Sequence, residues 1–169
     1  TFQDGVNLSQ TVYSVDWSPS QDWVAVGRAN GGGSEVYIYS FNGTSLSLLD
    51  SLNLGSNCRT VKWHPSGDYL GLGLDNGQVR VYPVSGTGTL GTPVSTASNF
   101  QIVYGVDWNF DGDYFVKVTA SGGNPQIVVY SFGTGPLSLT VDASLTPFLN
   151  NFAVSWNKQI PNTDIIAVG

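Results

Sequence analysis

Two copies of the tripeptide Val-Asp-Trp, ending at Trp17 and Trp108, set a carboxylate beside an indole. Asp111 and Asp113, in "NFDGDYF", have the spacing with which a calcium loop begins, but such a loop needs further oxygen ligands at fixed steps and a closing Glu, and none follows. The single His, His64, and the single Cys, Cys58, supply neither the nucleophile–base pair of a hydrolase nor the ligand set of a zinc site. Asp is plentiful, yet no pair stands out as the carboxylates of a glycosidase. The residues therefore offer no catalytic, metal-binding or cofactor-binding set, and the reading is of a protein that is not an enzyme.

What the aspartates and tryptophans do have is periodicity. "VYSVDWSPSQDWVAVG", from Val12 to Gly27, returns as "TVKWHPSGDYLGLG" from Thr60, "GVDWNFDGDYFVKV" from Gly105 and "AVSWNKQIPNTDIIAVG" from Ala153. Trp17, Trp63, Trp108 and Trp156 are thus spaced by 46, 45 and 48 residues. A period near 45 belongs to solenoids, propellers and related arrays.

Each unit carries four strand signals separated by Gly, Pro, Asn, Asp and Ser clusters, and none carries a helical pattern. The first strand ends at the Trp, and a turn such as "SPSQD", "HPSGD" or "NFDGD" follows. The second strand opens after the Asp ("WVAVG", "YLGLG"). The third reads "VYIY" from Val36, "VRVY" from Val79 and "IVVY" from Ile127, entered in the second unit through the hairpin signal Asp75-Asn76-Gly77. A less regular fourth strand lies in "LSLLDSLNL", "TLGTPVST" and "LSLTVDASL". Four antiparallel strands per period describe a propeller blade.

The pattern V-x-W-S-P-S-x-D, followed by D-N-G-x-V-x-V-Y, resembles the WD-repeat β-propeller family over nearly the whole chain. The resemblance implies an all-β propeller with about three complete four-stranded blades and partial blades at both ends. Residues 1–169 form one propeller segment, with units at about 11–58, 59–101, 102–150 and a partial 151–169, and with 1–10 as the last strand of a preceding blade. The family's Gly-His pair is missing, and its Trp-Asp pair is replaced by Tyr39-Ser40, Tyr82-Pro83 and Tyr130-Ser131. These departures remove the buried Asp, His, Ser and Trp hydrogen-bond network of the family.

Asp22, Asp68, Asp113 and Asp164 precede the second strand of each unit, where Asp side chains bond to nearby backbone N–H groups and stabilise reversals. They and the four tryptophans are read as repeat anchors, with the indoles as core between blades. The position before each Trp varies: Asp16, Lys62, Asp107 and Ser155. The resemblance makes these channel-side positions that tune a surface, and Asp16 and Lys62 are placed to pair across blades. His64 is read as a turn residue and Cys58 as a loop residue or intermolecular link. Asn42-Gly43 reads as a hairpin turn; Asn42 and Asn7 also head glycosylation sequons.

Composition bounds the partners. The 169-residue chain is 41% hydrophobic but only 11% charged, with a net charge of −6; six scattered Lys and Arg cannot track a phosphate backbone, which sets nucleic acid aside. No apolar run is long enough to span a bilayer as a helix. The reading is of a non-catalytic scaffold that binds proteins or its own copies through loops and blade edges. The alternative is a lectin-like propeller in which Tyr13, Tyr104, Trp23 or Phe132 stacks on sugars. A surface rich in Asn, Ser, Thr and Gly favours a secreted or cell-surface setting over the cytoplasm. Both ends look cut within a blade, so the chain is expected to belong to a longer propeller, or to be completed by copies or a partner strand.

Overall fold

The computed structural model describes residues 4–96, 98, 100–120, 125–146, 152–157 and 166–169. Three antiparallel four-stranded sheets follow one another along the chain. The first contains β1 (Val12–Trp17), β2 (Trp23–Arg28), β3 (Val36–Phe41) and β4 (Leu46–Leu52). The second contains β5 (Cys58–Trp63), β6 (Tyr69–Leu74), β7 (Val79–Pro83) and β8 (Val94–Ser95). The third contains β9 (Val103–Trp108), β10 (Tyr114–Thr119), β11 (Ile127–Thr134) and β12 (Leu137–Leu145), and a two-stranded sheet of β13 (Val154–Trp156) and β14 (Ile166–Val168) comes last.

Each complete sheet runs in sequence order from its first strand to its fourth, and the first strands lie side by side, β1 against β5, β5 against β9 and β9 against β13. This radial arrangement of blades about a common axis is a β-propeller. Local chemistry sets the strand ends. At Asn42 the side-chain Oδ1 accepts the N–H groups of Thr44 and Ser45, while Gly43 takes a φ of +90° that other residues adopt reluctantly. In the second blade Gly77, at φ +85°, returns its N–H to the Leu74 carbonyl and so launches β7.

The core lies in the seams between blades. Ala25, Val36, Ile38, Val61, Leu70 and Leu72 fill the first seam, whereas Val79, Val81, Val103, Val106 and Phe115 fill the second. Because the second blade is covered on both faces, Leu70, Gly71, Leu72 and Gly73 are all buried, which explains a strand of continuous small and apolar residues. Gly71 is dictated by packing: a Cβ there would stand 2.6 Å from the Phe115 ring.

Three expectations are corrected. Residues 4–10 form no strand: an Asn7–Ser9 turn bends the segment, and Asp4 and Leu8 tie it to the first blade through the Leu46 N–H and the Arg28 guanidinium. Cys58 does not sit in a loop; it opens β5 with no exposed surface, so an intermolecular link through it is closed off. The fourth strand of the second blade is only Val94–Ser95, since Gly and Pro interrupt "TLGTPVST".

Candidate functional site

Asp16 and Asp107 act across the seams. The Asp16 carboxylate accepts the backbone N–H of Trp63 at 2.8 Å and the Lys62 ammonium at 3.2 Å. Asp107, only 3% exposed, accepts the N–H of Trp156 at 2.8 Å with one oxygen and that of Trp108 at 3.0 Å with the other. The position was expected to tune a surface; in these two blades it instead joins consecutive first strands. The Trp indoles bond in the reverse direction, Trp63 Nε1–H to the Asp16 carbonyl and Trp108 Nε1–H to the Lys62 carbonyl, both at 3.2 Å. Lys62 cannot accept an N–H, so the seam between the second and third blades lacks the carboxylate link. Ser155 is exposed on β13.

Trp63, Trp108 and Trp156 are buried, as each packs against the preceding blade. Trp17 differs: no described blade lies on that side of β1, and it is 55% exposed against the edge of Phe41. The turn aspartates also work differently from the expectation. Asp22, Asp68 and Asp113 are exposed, and their backbone carbonyls accept the N–H groups of Phe41, Val84 and Phe132. The turns are closed by other side chains, namely Ser18 on Ser20, Ser66 on Asp68 and Asn109 on Tyr114. Asp164 lies outside the described residues.

His64 is more than a turn residue. Its ring is packed by Tyr69, Trp108 and Phe132, its Nδ1 accepts the Ser66 N–H at 3.0 Å, and its Nε2–H donates to the Gly112 carbonyl of the next blade at 3.1 Å. Burial pushes its pKa down. Phe132 is consumed by this cluster and Trp23 by contact with Trp63, which leaves Tyr13 and Tyr104 of the aromatics considered for sugar stacking. The Cys58 thiol donates to the Thr60 carbonyl, and burial pushes its pKa far upward.

Tyr13 and Tyr104 share one repeat position, four residues before the Trp, with Arg59 and Phe152. It is the second residue of β1, β5 and β9 and lies two residues before β13, so the blades bring its occupants together in an arc at one end of the first strands, the channel mouth of the propeller. The Arg59 guanidinium lies 4.2 Å from the centre of the Tyr13 ring and is ion-paired with Asp75, whose other oxygen receives the Asn57 amide. The bonded Asp75 carboxylate raises the Arg59 pKa further. Tyr104 meets Phe152 edge to face at 5.1 Å, and Phe152 is 55% exposed. The arc is an aromatic and cationic surface held by fixed neighbours. Sequence reasoning singled out its two tyrosines but missed the arc, whose signal was the shared distance to the Trp.

Residues 15–110 match the family model described as the WD40 domain of anaphase-promoting complex subunit 4. The chain belongs to this WD40 family. Among solved structures it is similar to Saccharomyces cerevisiae Sqt1, with a TM-score of 0.72 at 14% identity over 94% of this chain and 42% of that one. It is also similar to the Myceliophteria thermophila Cps50 (Swd1) β-propeller domain, with a TM-score of 0.67 at 16% identity over 89% of this chain and 48% of that one. A chain of a mitotic checkpoint complex structure gives a TM-score of 0.63 at 21% identity over 87% of this chain and 42% of that one. The chain therefore spans less than half the length of these structures. No curated protein matches it.

Proposed function

We propose that this propeller is a non-catalytic protein-binding module whose channel mouth grips a peptide segment of a partner. The arc of Tyr13, Arg59, Tyr104 and Phe152 carries the reading. Tyr and Arg are enriched at interface hot spots, and here the Asp75–Asn57 pair and the Tyr13 ring hold the Arg head in place, which lowers the ordering cost of binding. The solved mitotic checkpoint complex, a multiprotein assembly, includes a similar propeller. Against catalysis, the two most nucleophile- or base-like side chains are spoken for: His64 bridges a seam, and the Cys58 thiol is buried.

Peptides selected from a random display library on the full chain test this. Binding should weaken about ten-fold or more in both Arg59→Ala and Tyr104→Ala, the cost of losing a hot-spot side chain. Selected peptides indifferent to both changes would refute the site.

A second mode of association rests on β12, the outer strand of the third blade, where Val141 is 59% and Leu145 66% exposed. An open edge with apolar side chains favours strand pairing with a copy or a partner. A sedimentation coefficient that rises with concentration, and no longer does so in Val141→Lys, is the expected result.

A further inference from the structure

Lys117 occupies a position that the other complete blades fill with hydrocarbon. In β10 it pairs with Val106 and Val128, in the register where β2 carries Val26, opposite Val15, and β6 carries Leu72, opposite Val61. The side chain enters the seam toward the second blade and is only 3% exposed. Its sole acceptor among the described residues is the Gly77 carbonyl, at 3.3 Å, so among those residues the ammonium has donors to spare. Burial alone lowers its pKa, to about 8, with no carboxylate acting on it. Buried charges are ordinarily paired, and this one has no counter-ion among the described residues.

The space beside it is a cavity of about 610 Å³, within the range of small-molecule sites. It exists because β8, with two residues, is much shorter than β4 or β12 and leaves the outer part of the seam unfilled. Ser95 offers a hydroxyl on one wall, beside Thr96, whose own hydroxyl accepts the Val79 N–H and meets Tyr130, while Val128, Leu139 and Val141 form an apolar wall opposite. Of the described groups facing the cavity from either blade, only Lys117 and Tyr130 titrate; the Tyr130 hydroxyl bonds Thr96, and burial raises its pKa to about 12, so it stays neutral. Among the described residues no Asp, Glu, Arg or His lines the space.

One cation with donors to spare, the Ser95 hydroxyl and an apolar wall match a singly charged carboxylate with a hydrocarbon tail. A phosphate, with its greater charge, would find no second cation. We propose that the seam between the second and third blades binds a small organic monocarboxylate, with its carboxylate on Lys117 and its tail against Val128, Leu139 and Val141. This site is separate from the channel-mouth arc and does not depend on it.

Calorimetric titration of the full chain at pH 7 with hexanoate, hexanol and inorganic phosphate tests the proposal. Hexanoate should bind saturably, and hexanol and phosphate about ten-fold or more weakly, as expected for a charge-assisted hydrogen bond. Hexanoate affinity should fall as the pH rises through about 8, where the ammonium loses its proton. Lys117→Met should reduce hexanoate affinity at least about ten-fold while melting no lower than the parent. Val141→Asp, at a position 59% exposed and therefore safe for folding, should also reduce it by placing a like charge on the wall. Equal binding of hexanol, unchanged affinity in either variant, or no saturable binding of hexanoate would overturn the site.

Discussion

Asp16 and Trp63, 47 residues apart in the chain, meet at 2.8 Å, the carboxylate of one blade accepting the backbone N–H of the next. Asp107 and Trp156 repeat the contact across the last seam. A β-strand N–H buried in a seam needs an acceptor, and the carboxylate supplies it with a charge-assisted bond. The tandem blades are thereby fixed in angular register as well as packed.

Asp107→Ala should destabilise the chain by about 1–3 kcal/mol, since it leaves the Trp156 N–H without its acceptor. Asp16→Ala should cost less, because its site is more open to water. Urea midpoints compared at constant slope provide the check; equal, negligible losses would remove the carboxylates from the account of the seams.

The tryptophans should not behave alike despite their shared motif. Trp63→Ala should cost about 3–5 kcal/mol, as for any fully packed aromatic, whereas Trp17→Ala should cost about 1 kcal/mol or less. The difference follows from 3% against 55% exposure. Similar losses at both positions would mean that Trp17 is covered in solution.

Acid should loosen the seam at His64. Its Nδ1 faces the Ser66 N–H, so a proton on that nitrogen would break the turn, and burial already favours the neutral ring over the weaker pull of the Gly112 carbonyl, Asp68 and Asp113. A base whose pKa is lowered by folding contributes stability that is present above the ordinary histidine range and lost as the pH falls through its folded-state pKa. Thermal melts between pH 7 and pH 4 should show this loss in the parent and a smaller one in His64→Asn, the residue the third blade uses at the same place. Parallel pH profiles would contradict the assignment.

Lys117→Leu should stabilise the chain in the absence of ligand. The folded pKa of about 8 against 10.5 marks a cost to burying the ammonium, on the order of 3 kcal/mol at neutral pH. Leu72 shows that the fold accepts Leu at this register. Because the parent lacks this stability below pH 8 and regains it as the pH rises toward 10.5, the advantage of the variant should shrink in that window. A variant that melts lower than the parent would contradict this.

The blades were legible because the pleat and the turns leave a strong local record: "VDW", "DNG" and the β-branched runs fix strand identity and order before any tertiary contact is considered. The seams were not. Asp16 and Asp22 look alike in sequence, yet one bonds the next blade and the other faces water, a difference made by neighbours more than 40 residues away. His64 and Cys58 looked like loop residues for the same reason. The arc was half visible: Tyr13 and Tyr104 drew attention as aromatics, but Arg59 and Phe152 join them only once the blades are arranged around an axis. Lys117 carried no signal in the sequence, since burial of a cation depends on how the neighbouring blade packs against it.

The account turns on the channel mouth being the surface that meets a partner. The most direct measurement is amide hydrogen exchange of the full chain with and without a selected peptide bound. Protection should appear at 57–60, 75–77 and 102–105, around Arg59, Asp75 and Tyr104, while β4 and β12 exchange as before. Protection confined to β12 with the mouth unchanged would contradict it and make the blade edge the binding surface.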